Sequence, residues 1–149
     1  LFFFVSKNFK LIQFQYKLLM RITTCRYMRH KMKIVTDTPM CSLCNTYLET
    51  IPHIYLHCIH TNSFTKILED FIKRKVDRNY RDPTKINFIV CNHTSQIINY
   101  FNIVAKWYIS KRFQAGEMPI WQGYIKLLKL SLTGDKIGHK SCIVSILAD

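Results

Sequence analysis

Three cysteines and one histidine lie close together in the sequence, with the spacing of a metal site. Cys41 and Cys44 form a C-x2-C pair, and His53 and Cys58 follow after eight and four intervening residues. A C-x2-C turn directs two thiolates at one ion, and a second Cys/His arm completes a tetrahedral zinc site. Four such ligands leave no coordination position for water. The pattern therefore predicts a structural Zn²⁺ and not a catalytic one.

The fourth ligand has two main candidates, Cys58 and His57. In a regular helix over residues 52–58, His53 and His57 would share a face, whereas Cys58 would point about 140° away. Ligand chemistry favours Cys58, because a thiolate binds zinc tightly and a helix end can unwind to admit it. His60 is a weaker third candidate, and the residues by themselves leave the choice open. The other three cysteines are expected to pack in the core: Cys25, Cys91 and Cys142.

The charge of the sequence is strongly positive and concentrated near its beginning. Lys and Arg number 22 against 9 Asp and Glu, a net charge of +13, and residues 1–33 hold eight basic residues and no acidic one. This asymmetry predicts a surface that contacts the phosphates of a nucleic acid. The candidate contact residues are Lys10, Lys17, Arg21, Arg26, Arg29 and Lys33. The candidates for stacking on bases are Tyr16, Tyr27 and Trp107.

Apolar spacing predicts a mainly α chain, a small helical domain stapled by a zinc knuckle, with at most one or two short strands. The strongest helix is expected to begin at Ser95, run to about Phe113 and end before Gly116. Further helices are expected over residues 9–22, after Thr23 or Thr24, after Pro52, from Asn62 or Ser63, and over about 120–131. The run 86–91 suits a short strand or a buried extended segment, and the last residues are weakly patterned.

The length of 149 residues fits one domain with several segments. The predicted segments are a basic two-helix segment (1–36), a zinc-binding knuckle (37–62), a helical part (63–134) and an unassigned tail (135–149). The chain begins with Leu, so a fragment of a larger protein is expected. The absence of a long apolar stretch predicts no membrane partner. Free thiols beside zinc predict a nuclear and/or cytoplasmic location.

Several runs of the sequence, in order, resemble the C-terminal region of LINE-type (non-LTR) retrotransposon reverse transcriptases. These runs are FQYKLLMRI (14–22), KMKIV (31–35), TPMCSLC (38–44), ETIPHIYLHC (49–58) and NYFNIVAKWYI (99–109). The zinc-binding segment of that family has a Cys, Cys, His, Cys arrangement at this spacing. The resemblance therefore implies that the ligands are Cys41, Cys44, His53 and Cys58, with Cys58 preferred over His57.

The resemblance implies a non-catalytic, zinc-dependent module that grips template RNA or target DNA. Its other expected partner is the remainder of a reverse transcriptase polyprotein, and no small-molecule substrate is expected. The sequence departs from the family at Met20, where such sequences often have His, and over residues 135–149. It has no Tyr/Phe-x-Asp-Asp signature and no adjacent Asp pair. Because two-metal nucleotidyl transfer needs clustered carboxylates, the isolated chain is not expected to be an enzyme.

An alternative from another class is a zinc-stabilised structural or protein-interaction module. In that hypothesis the aromatic helix over about 95–113 docks on a polymerase or on a host partner. Exposure of Phe101, Trp107 and Tyr108 together would favour docking, whereas binding through the first 33 residues would favour nucleic acid.

Overall fold

The computed structural model describes residues 6–34, 38–135 and 137–148. Within these residues the chain forms seven α-helices and one π-helical turn. In chain order they are α1 (Phe9–Leu19), α2 (Arg26–Lys31), the π-helical turn (His53–His57), α3 (Ile59–Lys75), α4 (Ile86–Val90), α5 (Gln96–Ala115), α6 (Trp121–Gly134) and α7 (Lys140–Ala148). The predicted boundary between residues 36 and 37 lies outside the described residues.

The prediction of a mainly α chain is confirmed. In the described part of the chain, β structure is limited to one isolated antiparallel bridge between Met40 and Leu48. None of the helices in that part is long and apolar enough to cross a membrane. Residues 38–50 contain no regular structure other than this bridge, so side-chain contacts must hold much of the shape of this segment.

Helix α5 forms the centre of the fold. Thirteen of its 20 residues are buried, and it contacts α1, α4, α6 and the π-helical turn. Its predicted ends are confirmed, because the Ser95 hydroxyl caps the first turn and Gly116, with φ of 68°, closes the last one. Aromatic rings from three helices pack together beside it: Phe64 and Phe71 from α3, Phe101 and Tyr108 from α5, and Trp121 and Tyr124 from α6.

A glycine allows α5 and α6 to approach closely. A Cβ atom at Gly123 would lie 2.4 Å from the Tyr108 hydroxyl. That hydroxyl is held in place, since it donates to the Ile120 carbonyl at 3.0 Å and accepts from the Ile120 N–H at 3.2 Å. Any larger residue at position 123 would have to push the two helices apart or displace this hydroxyl.

Helix α1 is shorter than predicted. It ends at Leu19 instead of residue 22, because Arg21 adopts a left-handed backbone conformation with φ of 55°. Leu11 and Phe14 are buried as the apolar spacing predicts, but Ile22 is 56% exposed. The chain turns before Ile22 can join the buried face.

Two further helices differ from prediction in position or type. Helix α3 begins at Ile59, not at Asn62 or Ser63. The prediction of an extended segment over 86–91 is wrong, because residues Ile86–Val90 form the short helix α4. The carboxylate of Asp82 accepts a hydrogen bond from the Phe88 N–H at 2.8 Å, which stabilises a first turn that the apolar run does not reveal.

The weakly patterned tail also contains a helix, α7. Asp135, at the end of α6, is buried and accepts hydrogen bonds from the Ser6 hydroxyl and from the Lys7 N–H, the latter at 2.9 Å. This contact ties the residues before α1 to the end of α6. Cys25 and Cys91 are buried as expected, but Cys142, on α7, is exposed, so its predicted place in the core is wrong.

Candidate metal centre and basic groove

The first two ligand candidates lie on a tight turn between short extended pieces. The bridge between Met40 and Leu48 brings the two sides of this turn together. The Cys41 carbonyl accepts from the Asn45 N–H at 3.0 Å, and Asn45 has φ of 54°. Asn tolerates this left-handed conformation better than most residues. The turn therefore reverses the chain after Cys44.

The other two ligand candidates lie at the ends of the π-helical turn. The Cys58 N–H donates to the His53 carbonyl at 2.8 Å, five residues earlier, instead of forming the i to i+4 bond of a regular α-helix. The wider turn brings Cys58 back to the side of His53. The Thr61 hydroxyl donates to the Ile54 carbonyl at 2.6 Å and so satisfies an acceptor in this unwound stretch. Because residues 53–57 do not form a regular α-helix, the i, i+4 spacing no longer favours His57 as the fourth ligand.

The four ligand atoms converge on one point. The sulfur atoms of Cys41 and Cys58 are 4.0 Å apart, and Cys44 Sγ lies 3.4 Å from His53 Nε2. All four atoms lie within 4.8 Å of one another. Around a tetrahedral zinc ion with Zn–S bonds of about 2.3 Å, two sulfur atoms would be about 3.8 Å apart. The set is thus of the right size to hold a metal ion, whereas the His57 side chain is exposed and outside it.

The environments of the thiols differ. Burial raises the pKa of the Cys41 thiol to about 12, against hydrogen bonds from the Cys44 N–H and with a further increase from Cys58. Burial also opposes ionisation of Cys44, but hydrogen bonds from the Thr46 and Tyr47 backbones outweigh it and lower the pKa of Cys44. Of these two thiols, Cys44 therefore ionises more readily than Cys41.

The histidine is held in the form that binds metals. Burial lowers the pKa of His53, and the charge of His57 lowers it further, against an opposing effect of Glu49. A metal-ligating imidazole must be neutral and a ligating thiol must be deprotonated. Binding of a divalent cation to this set therefore releases protons from the thiols, so its affinity rises with pH.

A buried carboxylate connects the cysteine turn to α2. The Glu49 carboxylate accepts from the N–H and the hydroxyl of Ser42, at 3.0 and 3.1 Å, and from the Arg26 N–H at 3.3 Å. The Glu49 carbonyl accepts from the Tyr27 N–H, also at 3.3 Å. The turn that carries Cys41 and the start of the basic helix α2 are therefore positioned by one residue.

A groove with positively charged walls, here called the basic groove, lies between α1 and α5 and has a volume of about 400 Å³. It is lined by Lys10 and Lys17 from α1 and by Lys111 and Trp107 from α5. Trp107 packs edge-on against Phe14, with ring centroids 5.2 Å apart, and the Lys111 ammonium lies 4.4 Å from the indole centroid. None of the described lining residues is acidic.

No protein-family model, no curated protein and no solved structure matches this chain. The function of the chain must therefore be inferred from its own residues. Thr23 and Thr24 line the basic groove and also a smaller cleft that reaches Arg29 and Glu49. The Arg29 Nε atom is buried there and has no hydrogen-bond partner among the described residues. The groove thus continues towards a third basic element.

The predicted basic residues do not all meet in this groove. Lys10 and Lys17 line it and Arg29 lies in the neighbouring cleft, whereas the other three candidates line neither: Arg21, Arg26 and Lys33. Of the stacking candidates, Trp107 faces the groove, while Tyr16 is exposed on α1 and Tyr27 is half-buried. Lys111 was not among the predicted contact residues. Its spacing of four residues from Trp107 on a helix is the signal that could have indicated it.

Proposed function

We propose that this chain is a non-catalytic, zinc-dependent nucleic-acid-binding module that grips a strand of template RNA or target DNA. The observation that carries the proposal is the basic groove, which lysines from two helices and the Trp107 side chain line together. We further propose that the chain is part of a LINE-type reverse transcriptase, which is the family its sequence motifs resemble.

Zinc is the proposed metal because of the ligand set. Three cysteine sulfur atoms and one imidazole are soft or borderline ligands, which suit Zn²⁺ and do not suit Mg²⁺ or Ca²⁺. Four protein ligands fill the coordination sphere of a tetrahedral zinc ion, so no position remains for a substrate. The metal in this proposal therefore has a structural role.

Nucleic acid is the proposed partner because of the charge and shape of the basic groove. Lys10, Lys17 and Lys111 repel one another across a surface without acidic lining residues, and a chain of phosphates would relieve that repulsion. Trp107 also lines the groove, and a base could stack on its ring if the Lys111 ammonium moved from the ring to a phosphate, as in sequence-tolerant binders of single strands. Because phosphate contacts position a strand without reading it, the proposal includes no sequence specificity.

The metal centre supports this surface through Glu49. The carboxylate of Glu49 joins the cysteine turn to the start of α2, and Glu49 lines the same cleft as Thr23 and Thr24 at the edge of the basic groove. Loss of the metal should therefore loosen the binding surface as well as the knuckle. The alternative of docking through α5 has less support, since Phe101 and Tyr108 are buried in the core.

The test is fluorescence anisotropy of labelled single-stranded RNA and DNA with the zinc-loaded chain over a range of salt concentrations. The groove variant replaces three lysines by glutamine at Lys10, Lys17 and Lys111. The matched control makes the same change at three exposed lysines outside the groove: Lys75, Lys126 and Lys129. Each phosphate contact on a single strand contributes about −0.7 to the slope of log K against log salt, so the groove variant should lose about 2 from that slope.

The control variant should keep nearly the whole slope, although it has the same net charge as the groove variant. An equal loss in both variants would mean that binding follows net charge and not the groove. A salt-independent affinity of the unmodified chain would refute the proposal outright.

A further inference from the structure

A second cavity, distinct from the metal centre and the basic groove, lies between α3, the loop that precedes α4, and α5. Its volume is about 180 Å³. A cavity of about 150 Å³ is sufficient to hold benzene in another protein, and a water molecule occupies about 30 Å³. This pocket is therefore of the size of one aromatic ring.

The floor of the pocket carries an amide group without partners. Asn102, on α5, is 1% exposed and lines the pocket. Among the described residues, neither its side-chain nitrogen nor its side-chain oxygen has a hydrogen-bond partner. Burial raises the pKa of Tyr80 and interaction with the Asn102 side chain lowers it, which places the Tyr80 hydroxyl near this amide. A buried amide without hydrogen bonds lowers the stability of the fold, so a ligand that forms hydrogen bonds with this amide would be bound favourably.

The walls of the pocket are mainly apolar and its rim is charged. Leu68, Tyr80 and Phe88 supply hydrocarbon and aromatic surface. Lys85 is at the rim, where its ammonium donates to the Asn62 side-chain oxygen and to the Leu56 carbonyl, the latter at 3.3 Å. A fitting ligand is thus a flat ring with one donor and one acceptor next to each other on its inner edge.

Nucleobases have this combination of properties. An asparagine amide presents one donor and one acceptor side by side, and it pairs with a base edge that presents the complementary groups. A pyrimidine matches the volume better than a purine. We propose that this pocket binds a single unpaired nucleobase, with Asn102 paired to the hydrogen-bonding edge of the base. The base can belong to a free nucleoside or to an unpaired position in a strand, and only the second source rests on the function proposed above.

The first experiment uses uridine as the probe and the full, zinc-loaded chain, with binding measured by calorimetry and by the shift in melting temperature. Uridine should raise the melting temperature of the unmodified chain. Asn102→Leu removes both hydrogen-bonding groups at nearly constant size, and it should weaken uridine binding by roughly tenfold to a hundredfold. The same variant without ligand should melt at a higher temperature, because an unpaired amide has been removed from the core. Asn92→Leu makes the same change at an exposed position and should bind like the unmodified chain.

A second ligand keeps the test independent of the variant's folding. 3-Methyluridine carries a methyl group on the nitrogen that donates the hydrogen bond, so it should not bind. Equal binding of uridine and 3-methyluridine, or undiminished binding of uridine to Asn102→Leu, would overturn the proposal. So would failure of uridine to bind the unmodified chain, since the pocket would then hold only water.

Binding of oligonucleotides distinguishes the two possible sources of the base, a free nucleoside and an unpaired position in a strand. A short oligouridylate should bind more weakly to Asn102→Leu than to the unmodified chain, whereas a strand of abasic sites should bind the two equally. The groove variant should bind free uridine normally. If the unmodified chain bound uridine but showed no salt-dependent strand binding, the proposed function would be refuted and the pocket proposal would stand. Salt-dependent strand binding by a chain that does not bind uridine would do the opposite.

Discussion

Lys106 allows a quantitative test of the packing between α1, α4 and α5. Its side chain is fully buried, and its ammonium donates to the Gln15 side-chain oxygen, to the Ile89 carbonyl at 2.6 Å and to Cys91 Sγ at 3.1 Å. Burial lowers the pKa of Lys106, against an opposing effect of Cys91. The site therefore favours the neutral amine more than water does, although it supplies three acceptors for the charged form.

Two substitutions separate the acceptors from the charge. Gln15→Leu leaves the ammonium in place with one acceptor fewer, and a hydrogen bond to a charged group contributes about 1.5–3 kcal/mol. Lys106→Met removes the buried charge itself. The orphaned Gln15 oxygen then costs about 1–3 kcal/mol, but relief of the charge desolvation offsets most of it. We expect Gln15→Leu to lower the free energy of unfolding by about 2 kcal/mol and Lys106→Met to lower it by less than about 1 kcal/mol.

The assay is urea unfolding of the zinc-loaded chain at several pH values, with the double variant to complete a mutant cycle. Because the pKa of Lys106 is lower in the folded chain, the unfolded chain binds more protons between that pKa and about 10.5. The stability of the unmodified chain relative to Lys106→Met should therefore rise as the pH increases through this window. It should be constant below the folded-state pKa.

The order of the two effects is the critical result. If Lys106→Met were more destabilising than Gln15→Leu, the ammonium would be a net stabilising group and the reasoning from its burial would be wrong. A difference between the unmodified chain and Lys106→Met that falls with increasing pH would contradict the direction of the pKa shift. The double variant should be about as stable as Lys106→Met. It removes the orphaned Gln15 oxygen, but it also removes the Gln15 amide that donates to the Ile89 carbonyl at 2.9 Å, and the two effects roughly cancel.

Three further predictions concern the metal centre and the helix contacts. The chain should bind one Zn²⁺, and its Co²⁺-substituted form should show a three-thiolate absorption spectrum that Cys58→Ala abolishes and His57→Ala retains. Chelation should unfold at least the knuckle, since structural zinc supplies on the order of 10 kcal/mol. Retention of the spectrum in Cys58→Ala would contradict the ligand assignment. Glu49→Gln places an amide NH₂ against a backbone N–H donor and should lower the free energy of unfolding by about 1–3 kcal/mol without changing the metal stoichiometry; unchanged stability by urea unfolding would count against the link to α2. Gly123→Ala should lower the free energy of unfolding by about 1–3 kcal/mol, because its methyl group would clash with the Tyr108 hydroxyl. Adding Tyr108→Phe removes that hydroxyl and should restore part of the lost stability. No rescue in the double variant would show that the clash lies elsewhere.

Local features of the chain were predictable because their causes are local in sequence. The ends of α5 follow from the capping preferences of Ser95 and Gly116, and its buried faces follow from apolar spacing. Helix α4 and helix α7 were not predictable in this way. The first turn of α4 depends on Asp82, and the start of the tail is held by the contact of Asp135 with the residues before α1.

The sequence by itself determined the net charge, the helical class and the set of soft ligands around Cys41 and His53, since these depend on residue types and short spacings. The tertiary structure decided which residues act together. Cys58 joins the ligands because a π-helical turn replaces the regular helix that would have favoured His57. Residues far apart in the chain, such as Lys17 and Lys111 in the groove, meet only through helix packing, which no local pattern in a single sequence encodes.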